Sequence, residues 1–125
     1  MLSRIFCALV VLAAGACSPA DPRVHDAQSI YGCYAAGGAP SFSLSPDGMQ
    51  VQGAASSVPF RYESAKVGYG IRVDLEATRT DGRLSFVPSG EDYFYRQAPA
   101  SNPPVFIVAF GPVVMNYRRT ESCEL

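Results

Sequence analysis

The chain has 125 residues and a mass of 13.3 kDa, room for one domain. Charged residues make up 17%, with 10 basic against 11 acidic side chains and a formal net charge of −1. That balance argues against a nucleic-acid partner, since such proteins carry a basic footprint. Hydrophobic residues reach 48%, so the composition is not that of a disordered chain.

The chain opens with Met1-Leu2-Ser3-Arg4, and the stretch from Ile5 to Ala16 carries no charge. It is shorter than the about 20 apolar residues that span a bilayer, and it fits the apolar region of a secretory signal. Ala14-Gly15-Ala16-Cys17 then places small residues directly before a cysteine. This resembles a bacterial lipobox, with Leu12 two residues ahead of Ala14. The resemblance implies cleavage after Ala16 and acylation of Cys17, which becomes the N-terminus and holds the protein to the membrane. Ser18 follows, and in enteric bacteria that implies sorting to the outer membrane, facing the periplasm. Each buried CH₂ adds about 0.8 kcal/mol, so two or three acyl chains on one residue make a lasting anchor.

The four cysteines are Cys7, Cys17, Cys33 and Cys123. Cys7 leaves with the signal and Cys17 takes lipid, which leaves an even number in an exported chain. A Cys33–Cys123 disulfide is the expectation, with two free thiols or a metal pair as the alternatives. Two cysteines and the lone His25 fall short of a four-ligand zinc site, so neither metal nor cofactor is expected.

Residues 18–28, SPADPRVHDAQ, are polar and aperiodic. They read as a tether, with His25 solvated. From Ser29 to Leu125 the pattern is strand and turn. Phe42 and Leu44 alternate with serines, Ser45-Pro46-Asp47-Gly48 supplies turn residues, and Met49 and Val51 alternate with glutamines. Val58, Phe60 and Tyr62 continue the alternation.

The clearest run is Lys66–Glu76. Val67, Tyr69, Ile71, Val73 and Leu75 alternate with Lys66, Gly68, Gly70, Arg72, Asp74 and Glu76, a period of two with one face buried. Asp81-Gly82 is a two-residue hairpin signal. It pairs Arg79 with Leu84 and Ala77 with Phe86, so Leu75, Ala77, Leu84 and Phe86 meet on one face. Tyr93 and Tyr95 fall on a further strand. Val105–Phe110 is apolar at every position and reads as a strand covered on both sides. Gly111-Pro112 turns the chain into Val113–Arg118, where Val113, Met115 and Tyr117 share a face. The Pro-rich stretch Ala98–Pro104 is the longest break. About eight short strands with no helix predict an all-β, small antiparallel β-barrel or sandwich closed by one disulfide, and a barrel would leave no exposed edges.

The catalytic inventory is thin. The only histidine lies in the tether, so a Ser-His-Asp triad is not expected. The adjacent acids Glu91 and Asp92 do not flank a bond at the about 5–9.5 Å that glycoside hydrolysis needs. Seven tyrosines and no tryptophan are the more informative set. Tyrosine joins an apolar ring to a polar tip and suits binding surfaces, but it is also a good strand former. Tyr62, Tyr69, Arg72, Tyr93, Tyr95 and Arg96 are the candidate binding residues. Arg61, Arg72, Arg96, Arg118 and Arg119 are expected at outward strand positions.

Tyr31-Gly32-Cys33, the segment from Thr80-Asp81-Gly82 to Gly90-Glu91, and Cys123-Glu124-Leu125 resemble pieces of the membrane-bound inhibitors of c-type lysozyme. Those are small lipid-anchored β-barrels with a disulfide. At the positions of that family's Ser-Gly-x-x-Tyr this chain carries Leu75, Glu76 and Arg79, and the family's lysine is Ser89. Gly32-x-Tyr34 followed by Asp47-Gly48 also resembles the start of a lipocalin-like barrel, which implies an apolar ligand inside. The reading is therefore an envelope protein with a signal peptide (1–16), a lipidated Cys17 and tether (17–28), and one β domain (29–125). It is expected to be non-enzymatic and to bind a protein, a glycan or a small apolar ligand. A structural envelope accessory without ligand is the other reading.

Overall fold

A computed structural model describes residues 22–123 and 125. The signal, Cys17 and the tether as far as residue 21 lie outside the described residues. The strands are β1 (Val24–His25), β2 (Gly32–Ala35), β3 (Phe42–Ser45), β4 (Gly48–Val51), β5 (Phe60–Ala65), β6 (Gly68–Val73), β7 (Glu76–Thr80), β8 (Arg83–Val87), β9 (Tyr93–Gln97), β10 (Val105–Phe110) and β11 (Val113–Thr120). One 3-10 turn, Gln28–Ile30, precedes β2.

Nine strands form one antiparallel sheet in the order β1-β5-β6-β9-β10-β11-β2-β3-β4, and β7–β8 form a separate ribbon. The large sheet curls into a half-barrel. Its concave face holds the core: Tyr34, Phe42, Leu44, Met49, Ile71, Val73, Phe106, Val108 and Tyr117 are all but inaccessible. The all-β class and the antiparallel pairing are as read from the sequence. The barrel stays open, with β1 and β4 at its edges. Both edges are blunted in the ways open sheets require. β1 is only two residues long, and beside β4 the backbone of Val58 exchanges hydrogen bonds with Met49 at 2.8 and 2.9 Å. Gly48 permits that approach, because with φ of +126° a Cβ there would meet the Val58 carbonyl oxygen at 2.5 Å.

The Asp81-Gly82 hairpin has the expected register, with Ala77 opposite Phe86 and Arg79 opposite Leu84. Asp81 and Gly82 both have positive φ, 53° and 77°, the sign a tight two-residue hairpin turn demands. The β3–β4 hairpin pairs Phe42 with Val51 and Leu44 with Met49, again on the buried face. The Cys33–Cys123 disulfide is present, with its Cα atoms 5.2 Å apart. It closes a loop of 90 residues, a constraint on the unfolded chain worth at most about 4–5 kcal/mol.

Four expectations need correction. The run Lys66–Glu76 is two strands: β6 ends at Val73, and the chain bends at Asp74-Leu75 into the ribbon. Asp74 Oδ1 accepts hydrogen bonds from the backbone N–H groups of Ser89 and Gly90, both at 3.0 Å, which fixes the bend. β10 is covered on one side only. Phe106 and Val108 are buried, but Ala109 is exposed and Val105 and Ile107 are half-buried, because no second layer covers the convex face. His25 is not solvated. It sits on β1 opposite Tyr62, stacks on Tyr69 at 4.9 Å and lies 3.3 Å from Ser64 Oγ. Arg119 points to the concave side. Its guanidinium lies 5.4 Å from the centre of the Tyr34 ring, and its Nη2 donates to the Ser29 carbonyl at 3.1 Å.

Candidate functional site

The bend at Asp74-Leu75 makes a cleft. β6 belongs to the half-barrel, β7–β8 leave it, and the space between β4 and the ribbon is filled only in part. One wall is Met49, Val51 and Val58; the other is Leu75, Phe86 and Pro88. The small-residue segment Gly53-Ala54-Ala55-Ser56 borders the opening. The cavity is about 350 Å³, within the roughly 300–1,000 Å³ of small-molecule sites. Three neutral polar side chains reach it, Gln52, Ser56 and Ser85, and no titratable side chain lines it. Two broader hollows, of about 670 and 660 Å³, are bordered by charged side chains: Arg83 in one, Glu76 and Arg96 in the other.

Local contacts hold the walls in place. The Tyr95 hydroxyl donates to the Leu75 carbonyl and accepts from the Ala77 N–H at 2.8 Å, pinning the ribbon where it leaves the sheet. Burial pushes the Tyr95 phenol up to about 12. Phe86 is wedged edge-on against Phe42 and Tyr95, with ring centres 6.1 and 6.0 Å away. On the far wall the Gln52 N–H donates to the Ser41 carbonyl at 2.8 Å, and Gln52 Oε1 accepts from the Ser41 N–H at 3.1 Å.

The six candidate binding residues all fall on three adjacent strands, β5, β6 and β9, but not on one surface. Tyr62, Tyr69, Tyr93 and Tyr95 take concave positions, where Tyr62 pairs with Ile71, Ile71 with Tyr95 and Val73 with Tyr93. Tyr62 is buried and donates to Gln97 Oε1, and burial raises its pKa. Tyr93 packs against the core. Tyr69 stands at the rim, 49% exposed.

Arg72 and Arg96 take convex positions. Arg72 Nε donates to Glu63 Oε1 at 2.6 Å, and Arg61 Nε donates to Glu63 Oε2 at 3.1 Å. Arg61 also reaches Asp92 at 3.2 Å. Glu63 is only 4% exposed. Burial is the largest influence and pushes its carboxyl up, but the hydrogen bonds from Arg72 and Arg61, with their charges, together hold it below the usual range. The Arg72 guanidinium also lies 5.0 Å from the centre of the Phe94 ring. Arg96 makes no ion pair among the described residues.

Alternation puts five of the lining residues, Met49, Val51, Val58, Leu75 and Phe86, on buried faces, but nothing local marks them as a cavity wall. The available signal was the tract Gly53-Ala54-Ala55-Ser56-Ser57, too long and too small for a tight hairpin between two apolar runs. Among the described residues no group of three or more His, Cys, Asp or Glu side chains is placed to hold a metal ion. Comparison with known proteins finds no matching family, no matching curated protein and no matching solved structure.

Proposed function

We propose that this is a lipid-anchored protein of the bacterial cell envelope, held to the outer membrane through Cys17 and facing the periplasm, that binds a small apolar ligand without transforming it. The observation that carries the ligand class is the cleft between β4 and the ribbon. Its walls are carbon, its polar groups are neutral, and its size suits a small molecule. A lining of this kind favours a ligand with an apolar body and one or two hydrogen-bonding groups for Gln52, Ser56 or Ser85. It offers no group to accept or deliver a proton, which favours holding over catalysis.

Native mass spectrometry of the chain expressed in a periplasm tests this. A discrete added mass is expected, and Ala55→Trp, which puts a large ring at the exposed mouth, should abolish it while leaving the fold intact. An apolar fluorescent probe should bind the delipidated protein and lose at least about tenfold in affinity in the same variant, the scale of one obstructed apolar contact surface. A bare mass together with no probe binding would overturn the ligand reading.

A second reading rests on the ribbon. Arg79, Thr80, Asp81, Gly82 and Arg83 are all exposed at its tip, and the segment that resembles the lysozyme inhibitors lies on this hairpin and the loop after it. A protruding tip suits insertion into a partner protein. Capture with immobilised c-type lysozyme, lost on Asp81→Pro, would favour that reading.

A further inference from the structure

The tether enters the sheet at one particular corner. β1 runs antiparallel to β5, with Val24 opposite Glu63 and His25 opposite Tyr62, and the Arg23 carbonyl accepts from the Ser64 N–H at 2.8 Å. The chain ahead of Val24 therefore leaves beside the β5–β6 turn, where Ala65 pairs with Gly68. The β9–β10 loop ends at the same rim, since the Ala98 N–H donates to the Val105 carbonyl at 2.7 Å. Val67, Gly68, Tyr69 and Ala98-Pro99-Ala100 border one hollow of about 150 Å³ there.

This corner has an unusual surface. Among the described residues six large hydrophobic side chains are exposed, and three of them, Val24, Val67 and Tyr69, are here. Val67 is 60% exposed at the turn itself. In the turn 65–69 and the loop 98–104 the only charge is Lys66, which has no partner among the described residues. Among the described residues the acidic side chains of the same rim, Asp47 in the β3–β4 turn and Glu121 after β11, belong to strands on the other side of the half-barrel. Asp21, two positions ahead of Arg23 in the sequence, lies outside the described residues.

We propose that this corner rests on the bilayer, with Val67 and Tyr69 in the headgroup region and Lys66 against lipid phosphate. The inference rests on acylation at Cys17. From Cys17 to Val24 the chain spans at most about 25 Å fully extended, so the corner cannot leave the neighbourhood of the membrane. Tyrosine favours the interface, where its ring is shielded and its hydroxyl stays wet. A lysine beside an anionic surface is drawn to it. A short tether gives an effective concentration in the millimolar range, so even a weak contact is well populated.

The chain has no tryptophan, so one substituted tryptophan is a clean probe. Cys33 and Cys123 are bridged, so the chain from residue 17 onward has one free thiol, Cys17. That thiol is coupled to a maleimide-headgroup lipid in vesicles of phosphatidylglycerol and acyl-brominated phosphatidylcholine, which fixes the anchor whatever the cell attaches. V67W should lose about half of its emission relative to unbrominated vesicles, as expected for a side chain seated about 5–10 Å into the interface. V114W is the control: Val114 is 59% exposed but lies beside the β10–β11 turn at the opposite end of the sheet. Y69W should follow V67W, and K66E in the V67W background should reduce the quenching. Equal quenching at 67 and 114, or none at 67 and 69, would overturn the docking. Failure of the acylation reading is seen separately, as an intact mass without acyl chains for protein extracted from membranes.

Discussion

The concave face of the nine-stranded sheet and its convex face over β5 and β6 solve opposite problems. On the concave face the polar groups are phenols. Four buried tyrosines each hand their proton to an oxygen outside the strand ladder: Tyr34 to the Ile30 carbonyl, Tyr62 to Gln97, Tyr95 to the Leu75 carbonyl, Tyr117 to the Pro40 carbonyl. Each ring fills the core, and three of the four hydroxyls tie a loop or bend down onto it. On the convex face the polar groups are ions. Glu63 lies between Arg61 and Arg72, and Asp92 extends the chain of charges. A buried phenol needs one acceptor, but a buried carboxylate needs its charge answered as well. The face that packs the core therefore uses tyrosine, and the face without a second layer covers Glu63 with arginines that keep their own contact with water.

The largest way to break this contrast is Tyr117→Ala. It removes a fully buried ring and the bond to Pro40, and it should cost about 3–5 kcal/mol in chemical denaturation, the range for deleting a core aromatic. Tyr95→Phe sharpens it, because the ring stays while the Leu75 carbonyl and Ala77 N–H both lose a partner. That should cost about 1–3 kcal/mol and weaken probe binding in the cleft, whose ribbon wall is no longer pinned. The Tyr95 phenol has a folded-state pKa raised from 10.0 to about 12. Its contribution is fully present below pH 10 and lost as pH rises toward 12, so phenolate absorbance should appear together with loss of near-ultraviolet dichroism.

Glu63→Gln is the smallest of the three. Arg61 is half exposed and Arg72 about a third exposed, so water screens both pairs and the loss should be about 1–2 kcal/mol at neutral pH. The sign with pH is the reverse of that for tyrosine. The Glu63 carboxyl sits below its ordinary value of 4.5, so its contribution is present above pH 4.5 and lost as pH falls through the folded value. The stability gap between the wild type and Glu63→Gln should accordingly close in acid. A gap that stays constant down to pH 2 would show that the carboxylate charge contributes nothing.

Local chemistry made some of this fold legible and left the rest dark. The β7–β8 register was readable pair by pair, because Asp81-Gly82 fixes the turn and the turn fixes every pair after it. The β3–β4 hairpin was readable as a turn, from Ser45-Pro46-Asp47-Gly48, and its pairs come from the structure. The bend at Asp74 was not, since Val73, Leu75 and Ala77 keep one parity straight through it, and what breaks the strand is a carboxylate reaching Ser89 and Gly90. The two-residue β1 has too little pattern to see. Arg119 shares its parity with Tyr117 and so belongs to the concave face; its sign of charge suggested the other. The cleft was invisible for a general reason: alternation reports which face is buried, not whether the buried space is filled.

The disulfide has a mechanical consequence. The covalent ring from Cys33 to Cys123 encloses every strand after β1 apart from the first residue of β2, and the chain ahead of Cys33 is outside it. A pull on the N-terminal chain falls first on β1, which is held by a two-residue ladder beside β5. Once β1 peels away, the next hold is the turn Gln28–Ile30, with Ile30 buried and its carbonyl bonded by the Tyr34 hydroxyl, and beyond it tension reaches Cys33 and crosses through sulfur to Cys123, just past β11. The adjacent strands β2 and β11 are already tied there, so the pull cannot draw them apart. A pull on the N-terminal chain thus meets a two-residue strand, then the buried turn at Ile30, and stops at a closed covalent hoop.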